Sequence, residues 1–273
     1  FKSPHTGLAA KKAWFFFDKT YVCLGTNISS RMKNQVLTTV NQCLLNGEVT
    51  VSDADGIHPQ EQGSRMKKEV RWVVHDKVGY YFLKKENVIL SNQRIEGSWK
   101  IANRQTTTPT DIIRQDVFTL SVDHGRSPNN GDYAYMVIPS ADPLSIEKQV
   151  EEEGVVILAN CPEVQAVRHD GLNMAYAAFY KGGTLRIHDK IVVEMDSPGM
   201  LMVKYNDAGE ILALGVSDPT RFMKKLHLSV NQKIVGAVQE NIQTEWDEKQ
   251  ALTRITVDLP QNEYAGKSVI YNK

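Results

Sequence analysis

Three His-Asp dipeptides, His75-Asp76, His169-Asp170 and His188-Asp189, carry the residue types of acid/base chemistry. Each lies in or beside a segment with strand character, where neighbouring side chains point to opposite faces. The two members of a pair are therefore poorly placed to bond each other, and surface or edge positions are the better reading. Asp53-Ala54-Asp55-Gly56 begins like a calcium loop but lacks the third acidic ligand and the closing Glu, so a solvated loop is expected. His124 and Arg126, in a connection between two strong strands, form the best local polar cluster, with a turn-closing hydrogen bond the commoner role for such a His. Trp14, Trp72 and Trp99 would stack on sugar rings if exposed, but in a sandwich fold a core position is expected for each. No Gly-x-Ser-x-Gly elbow, His-Glu-x-x-His pair or phosphate-binding glycine loop occurs, so no metal or other cofactor is expected.

The elements that would position these residues are strands. Lys11 to Gly25, with Trp14-Phe15-Phe16-Phe17 and Val22-Cys23-Leu24 separated by Asp18-Lys19, reads as a hairpin apolar on both faces. Such a pair is expected in the middle of a large sheet, with Trp14 to Phe17 in the core. Val36–Leu44 and Phe118–Asp123 alternate as half-buried strands do, Val70–Asp76, Tyr80–Leu83, Val88–Leu90 and Gly97–Ile101 read as further strands, and Tyr133–Ile138 is apolar on both faces. The polar stretch Ser52–Ser64 is expected as an exposed, mobile loop. One short helix is predicted after Asp142-Pro143, stopping at Gly154, with its acidic end at the wrong pole of the helix dipole. Further strands run from Val164 to Val216 with turns at Lys181-Gly182-Gly183, Ser197-Pro198-Gly199 and Asn206-Asp207-Ala208-Gly209, then at Leu226–Val230 and Leu252–Leu259. No βαβ rhythm is present, so the fold class is all-β and antiparallel, in two layers or two sandwiches. The division is placed near Asn160, giving domains 1–160 and 161–273.

Lys plus Arg and Asp plus Glu are both 32, so no net charge draws the chain to nucleic acid or an anionic membrane. No apolar run reaches the ~20 residues of a membrane span. The first residues lack both a starting Met and a signal-peptide layout, and the chain reads as a processed or excised piece. Cys23, Cys43 and Cys161 cannot all pair; Cys23 and Cys43 fall in strands that could face each other, but reduced buried thiols are preferred.

Lys11–Phe17 with Val22–Gly25 and Asn27-Ile28 resembles the central β-domain of the family 8 polysaccharide lyases, which include chondroitin AC, hyaluronate and xanthan lyases. Thr38–Gln42 with Leu45-Asn46-Gly47, Trp72–Asp76 with Gly79–Phe82, Gly97-Ser98-Trp99, Asp123–Pro128, Tyr133–Pro139, Phe179-Tyr180 and Pro260–Gly266 agree in the same order. The resemblance covers nearly the whole chain and is nearest to the chondroitin AC lyases. It implies the later part of an antiparallel β super-sandwich followed by a smaller C-terminal β-sandwich, without the family's N-terminal α/α toroid. It also implies a glycosaminoglycan substrate, chondroitin sulfate or hyaluronan, cleaved by β-elimination at a uronic acid, and a secreted or periplasmic location. The family's catalytic Asn, His, Tyr and Arg lie on the toroid, with a Glu from the first part of the β-region. None of their motifs is present, so no catalytic residue is assigned and the substrate-binding residues are left open. The chain is then expected to be scaffold and cleft wall, with the toroid and the acidic polysaccharide as partners. Two alternatives are a non-catalytic carbohydrate-binding or adhesion module and a domain that only docks on a helical chain.

Overall fold

Alternating apolar and polar residues build antiparallel strands throughout the computed structural model, which describes residues 1–234 and 240–273. The chain divides into two units, Phe1–Glu147 and Lys148–Lys273.

The first unit holds β1 (Ala9–Phe16), β2 (Tyr21–Ser29), β3 (Gln35–Leu44), β4 (Val49–Asp53), β5 (Gly56–Pro59), β6 (Gly63–His75), β7 (Val78–Gly97), helix α1 (Trp99–Ala102), β8 (Ile113–Arg126) and β9 (Gly131–Pro139). Its sheet runs β1-β2-β9-β7-β6-β4-β5, and β7 also pairs β8, which pairs β3. The two ends of β7 have different partners: Val78–Phe82 pair with β9, and Val88–Gly97 pair with β8. Strand β6 turns the same corner, where its register shifts between Lys67 and Val70 and Glu69 takes a left-handed φ of 53°. The bend folds one sheet into two facing layers, and Tyr80, Phe82, Tyr133 and Tyr135 of one share a core with Leu90, Phe118, Leu120 and Val122 of the other. Each such large side chain contributes roughly 1.5–3 kcal/mol on burial. Close approach shows at Gly25, where a Cβ would sit 2.0 Å from the ring of Tyr133.

Strand β2 is buried on both faces from Val22 to Thr26, as its composition predicts. Strand β1 is not an inner strand: it is the sheet edge. Its Ala13 and Phe15 are buried, but Trp14 is 52% and Phe16 67% exposed, which corrects the expectation that Trp14 to Phe17 all lie in the core. An edge strand is flanked on one side only, and the face bearing Trp14 and Phe16 lacks cover from the opposite layer. Trp72 is fully buried, whereas Trp99 is 61% exposed and lies in α1, because Ser98 Oγ accepts the Lys100 N–H and caps a helical turn where a strand was expected. The polar stretch expected as a loop between Ser52 and Ser64 instead contains the β4–β5 hairpin, with Asp53 opposite Gly56 at a φ of 104°. Two of the cysteines are tied up separately: Cys23 is buried, its thiol pushed up to about 11 chiefly by burial, and Cys43 Sγ lies 3.7 Å from His75 Nδ1.

Helix α2 (Ile146–Glu153) spans the division between the units. Asp142 Oδ1 accepts the Leu144 N–H at 3.0 Å in the turn that leads into it, and Gly154 ends it at a φ of 61°. The second unit continues with β10 (Val155–Asn160), β11 (Val164–His169), β12 (Met174–Phe179), β13 (Gly183–His188), β14 (Ile191–Met195), β15 (Gly199–Tyr205), β16 (Ile211–Ser217), β17 (Lys225–Val230), β18 (Ile242–Asp247), β19 (Leu252–Asp258) and β20 (Val269–Asn272). Strand β10, just before the expected division near Asn160, pairs with β11 in the second unit. One sheet runs β10-β11-β12-β15-β16-β20 and the other β13-β14-β17-β19-β18. Phe179, Leu201, Val203 and Leu214 of the first share a single core with Ile191, Val193, Leu228 and Ile255 of the second. The architecture is all-β: an antiparallel super-sandwich portion followed by an antiparallel β-sandwich.

Candidate functional site

None of the three His-Asp dipeptides forms an acid/base pair. His75 is buried, stacks on Phe118 at 4.3 Å and accepts the Asn46 N–H at Nε2 (3.0 Å), while Asp76 accepts from Asn46 Nδ2 (2.9 Å). With Nε2 an acceptor the ring is neutral, and burial holds its pKa below the ordinary histidine value. His169 bonds Glu153 of α2 at 2.8 Å, and Asp170 is held by Arg168 at 2.5 and 3.2 Å. His188 Nδ1 accepts the Lys190 N–H at 3.4 Å, beside Tyr205.

The Asp53 carboxylate is held by groups of the protein itself. It is 3% exposed and takes His58 at 3.0 Å, Lys67 at 3.1 Å and the Asp55 N–H at 3.0 Å. Burial raises its pKa, but these partners outweigh burial and the net shift is downward.

His124 and Arg126 do not act together. Arg126 Nη1 donates to the Lys33 carbonyl at 3.3 Å, next to the Ser127 hydroxyl on the Met32 carbonyl at 2.9 Å, so both tie down the connection between β2 and β3. His124 Nε2 meets Thr38 Oγ1 at 2.9 Å and its ring lies 6.1 Å from that of Tyr133, over which Lys12 Nζ sits at 5.8 Å. Burial and the nearby Lys12 lower the His124 pKa, against Asp123 and Asp132.

The strongest ionisable cluster of the first unit adjoins His124 and was not singled out from sequence. Lys84 bonds Asp132 and lies 3.7 Å from Glu86 Oε1, at the corner of β7 where Glu86 faces Val70 across the ladder. Burial pushes Glu86 up to about 7, against the attraction of Lys84. The signal was the charged run Lys84-Lys85-Glu86-Asn87 interrupting an apolar strand pattern. A carboxyl that exchanges its proton near neutrality is suited to acid/base work. Here it faces a lysine already held by a second carboxylate, Asp132.

In the second unit a cavity of about 570 Å³ opens on the polar face of β14, β17, β19 and β18. Glu194, Ser229, Arg254 and Glu245 lie side by side across these four strands in successive register pairs. Arg254 is held by Asp247 at 3.0 Å and Gln250 at 2.7 Å, and His227 bonds Thr256 at 3.1 Å. The row offers hydroxyl-bonding groups of both kinds, with more carboxylates than cations.

Residues 1–150 match the polysaccharide lyase family 8 super-sandwich domain, and residues 156–227 match that family's C-terminal β-sandwich domain. The chain is 34% identical over 265 residues to chondroitinase-AC of Pedobacter heparinus, covering 97% of this chain and 35% of that protein. It is 29% identical to a hyaluronate lyase of Thermasporomyces composti, covering 95% of this chain and 32% of the relative, and so spans about a third of the length of both. A solved chondroitinase AC lyase, studied as enzyme–oligosaccharide complexes, superposes with a TM-score of 0.82 at 34% identity, over 99% of this chain and 37% of that one. A Paenibacillus xanthan lyase shares the fold with a TM-score of 0.85 at 24% identity, over 99% of this chain and 26% of its own.

Proposed function

The chain belongs to polysaccharide lyase family 8, and from that premise we propose that it is the β-portion of a glycosaminoglycan lyase of the chondroitin AC type, serving as scaffold and one wall of the substrate cleft. The observation that carries this reading is the 34% identity to chondroitinase-AC over 97% of the chain, combined with coverage of only 35% of that enzyme. The reaction is β-elimination: a base removes the proton α to a uronic acid carboxylate, and an acid protonates the departing glycosidic oxygen. The α-proton is weakly acidic, so the site must neutralise the carboxylate and stabilise the charge that builds up on it. The motifs that carry the family's catalytic Asn, His, Tyr and Arg do not occur in this sequence, so we assign the chemistry to an α/α toroid outside residues 1–273. The substrate is an acidic polysaccharide, chondroitin sulfate or hyaluronan, and the enzyme works outside the cytoplasm. With purified residues 1–273 and chondroitin sulfate or hyaluronan, no absorbance from unsaturated uronate should develop. Product formation by this chain alone would overturn the scaffold assignment.

The polar row on β14, β17, β19 and β18 supports a second reading, a carbohydrate-binding module. Titrating oligosaccharides while following tryptophan emission separates the two, since a binding module responds without a toroid.

A further inference from the structure

The connection between β16 and β17, residues 218–224, holds a phenylalanine out in water on a heavily bonded turn. Phe222 is 89% exposed, while Asp218, which anchors the turn, is 4% exposed. The Asp218 carboxylate accepts the Thr220 N–H at 2.8 Å, the Thr220 hydroxyl at 2.5 Å, the Phe222 N–H at 3.0 Å and the Met223 N–H at 2.9 Å. Burial raises the Asp218 pKa, but Thr220 and the backbone N–H groups outweigh it and the net shift is downward, so the anchor is charged at neutral pH. Arg221 takes a left-handed φ of 68°, its N–H donating to the Asp218 carbonyl at 3.2 Å. A ring presented in this way has already lost the backbone freedom that binding would otherwise cost.

A second turn, residues 260–267, is laced to the first. Gln261 Nε2 donates to the Met223 carbonyl at 3.1 Å, and the Leu259 N–H donates to the Lys224 carbonyl at 2.8 Å. Gly266, at a φ of 90°, lies against the Arg221 side chain, where a Cβ would sit 3.2 Å from Arg221 Cγ. Tyr264 is 59% exposed, and Lys267 Nζ lies 5.9 Å from the centroid of its ring. Charge on these turns is unbalanced. Arg221, Lys224 and Lys267 are exposed and form no ion pair among the described residues, whereas Lys225 is taken by Asp258 at 2.9 Å. Asp218 is spent on its own turn, and the other acids nearby, Glu263 and Glu240, are not within ion-pair distance of these cations. The whole chain balances its charges, so unpaired cations beside exposed rings are a local feature.

We propose that Arg221, Phe222, Lys224, Tyr264 and Lys267 form a binding surface for an acidic polysaccharide, with sugar rings against the two aromatic side chains and carboxylate or sulfate groups on the three cations. The C–H faces of a sugar pack on an aromatic ring, and an anionic substituent finds a charge-assisted hydrogen bond at Lys or Arg. The polar row on β14, β17, β19 and β18 carries more carboxylates than cations and so suits a polyanion less well. A lipid surface asks for more apolar area than one protruding ring supplies, which favours the polysaccharide. The proposal takes its ligand class from the reading of the chain as part of a glycosaminoglycan lyase.

The test is calorimetric titration of residues 1–273 with polymeric chondroitin sulfate at low salt, with neutral dextran as the control. Calorimetry is the readout because neither turn contains a tryptophan. Phe222→Ala should weaken binding about 10-fold and Arg221→Gln/Lys267→Gln at least about 10-fold. Lys204→Ala, which removes an exposed cation where β15 pairs with the start of β16, should leave the affinity unchanged. All these side chains are exposed, and unchanged thermal melting shows that the variants fold. Full affinity in the variants of the two turns, or an equal loss in Lys204→Ala, would overturn the proposal. So would a loss in Arg221→Gln/Lys267→Gln with none in Phe222→Ala, which is the behaviour of a bare ion exchanger. Tighter binding to vesicles of anionic phospholipid than to chondroitin sulfate would make this a membrane contact and overturn it as well. Absence of binding by residues 1–273, beside a complete polypeptide that cleaves chondroitin sulfate, overturns this inference and leaves the lyase reading intact. Binding that these variants abolish, in a complete polypeptide without lyase activity, does the reverse.

Discussion

The two units solve the same problem differently. The second closes one core between a six-stranded and a five-stranded sheet, and its exposed large apolar side chains among the described residues are Leu212, Phe222, Tyr264 and Ile270. The first makes two layers by bending β6 and β7 around a corner, and it leaves Trp14, Phe16, Leu37, Leu44, Met66, Trp99 and Ile113 exposed among others. A monomer seldom leaves so much apolar surface uncovered without a partner for it. The contrast shows that apolar composition reports the need for cover, not that cover is present in the same segment.

The largest effect that sharpens this contrast lies in two neighbouring residues. Phe15 is 3% exposed and Phe16 is 67% exposed on the other face of the same strand. In residues 1–273, Phe15→Ala should cost roughly 3–5 kcal/mol and Phe16→Ala less than about 1 kcal/mol, read by urea denaturation. Equal costs would mean that Phe16 is already covered.

Next in size is the corner that produces the two layers. Glu86 is pushed up to about 7 from the ordinary carboxyl value of 4.5, so its folded form holds the proton more tightly than the unfolded chain does. A raised pKa contributes stability that is fully present below about pH 4.5 and lost as the pH rises through about 7. Glu86→Gln removes that loss: the variant should match the parent near pH 4.5 and exceed it by roughly 1–3 kcal/mol at pH 8, Lys84 giving up one of its two partners. Parallel stability curves for the two proteins across this range would show that Glu86 ionises freely at the corner.

Much of the second unit was legible because a hairpin code is local. Turns such as Lys181-Gly182-Gly183 and Ser197-Pro198-Gly199 fall between alternating segments, and Ile191–Met195 is a strand with the bounds its pattern predicts. Strands β10, β18 and β20 were not anticipated: β18 alternates polar residues with little apolar content, and β20 is four residues long. In the first unit the apolar run of β1 was read correctly as a strand but placed wrongly, because position within a sheet is a long-range property that an all-apolar segment does not encode. The hairpin at Asp53–Gly56 was hidden by turn-rich composition on both sides of a short pair. The site was less legible than the fold. His75 and His169 find partners at Asn46 and Glu153, residues distant in sequence, and the Glu86 shift depends on burial at a bend no local pattern announces.

The smallest expected effect concerns the polar row of the second unit, which is a working surface only if the fold does not depend on it. Arg254 lies between Ser229 and Glu245 in the row and is half exposed, with its guanidinium held by Asp247 and Gln250. Exposed ion pairs of this kind contribute about 0–1 kcal/mol, since the charges remain hydrated and the side chains lose freedom. Arg254→Ala should therefore lower the stability of residues 1–273 by less than about 1 kcal/mol. The first unit gives the scale for judging it, because a loss approaching that of Phe15→Ala would make the row part of the structural framework. A loss below that bound leaves the row free of a structural duty, and any change in oligosaccharide affinity of this variant then reports binding and not unfolding.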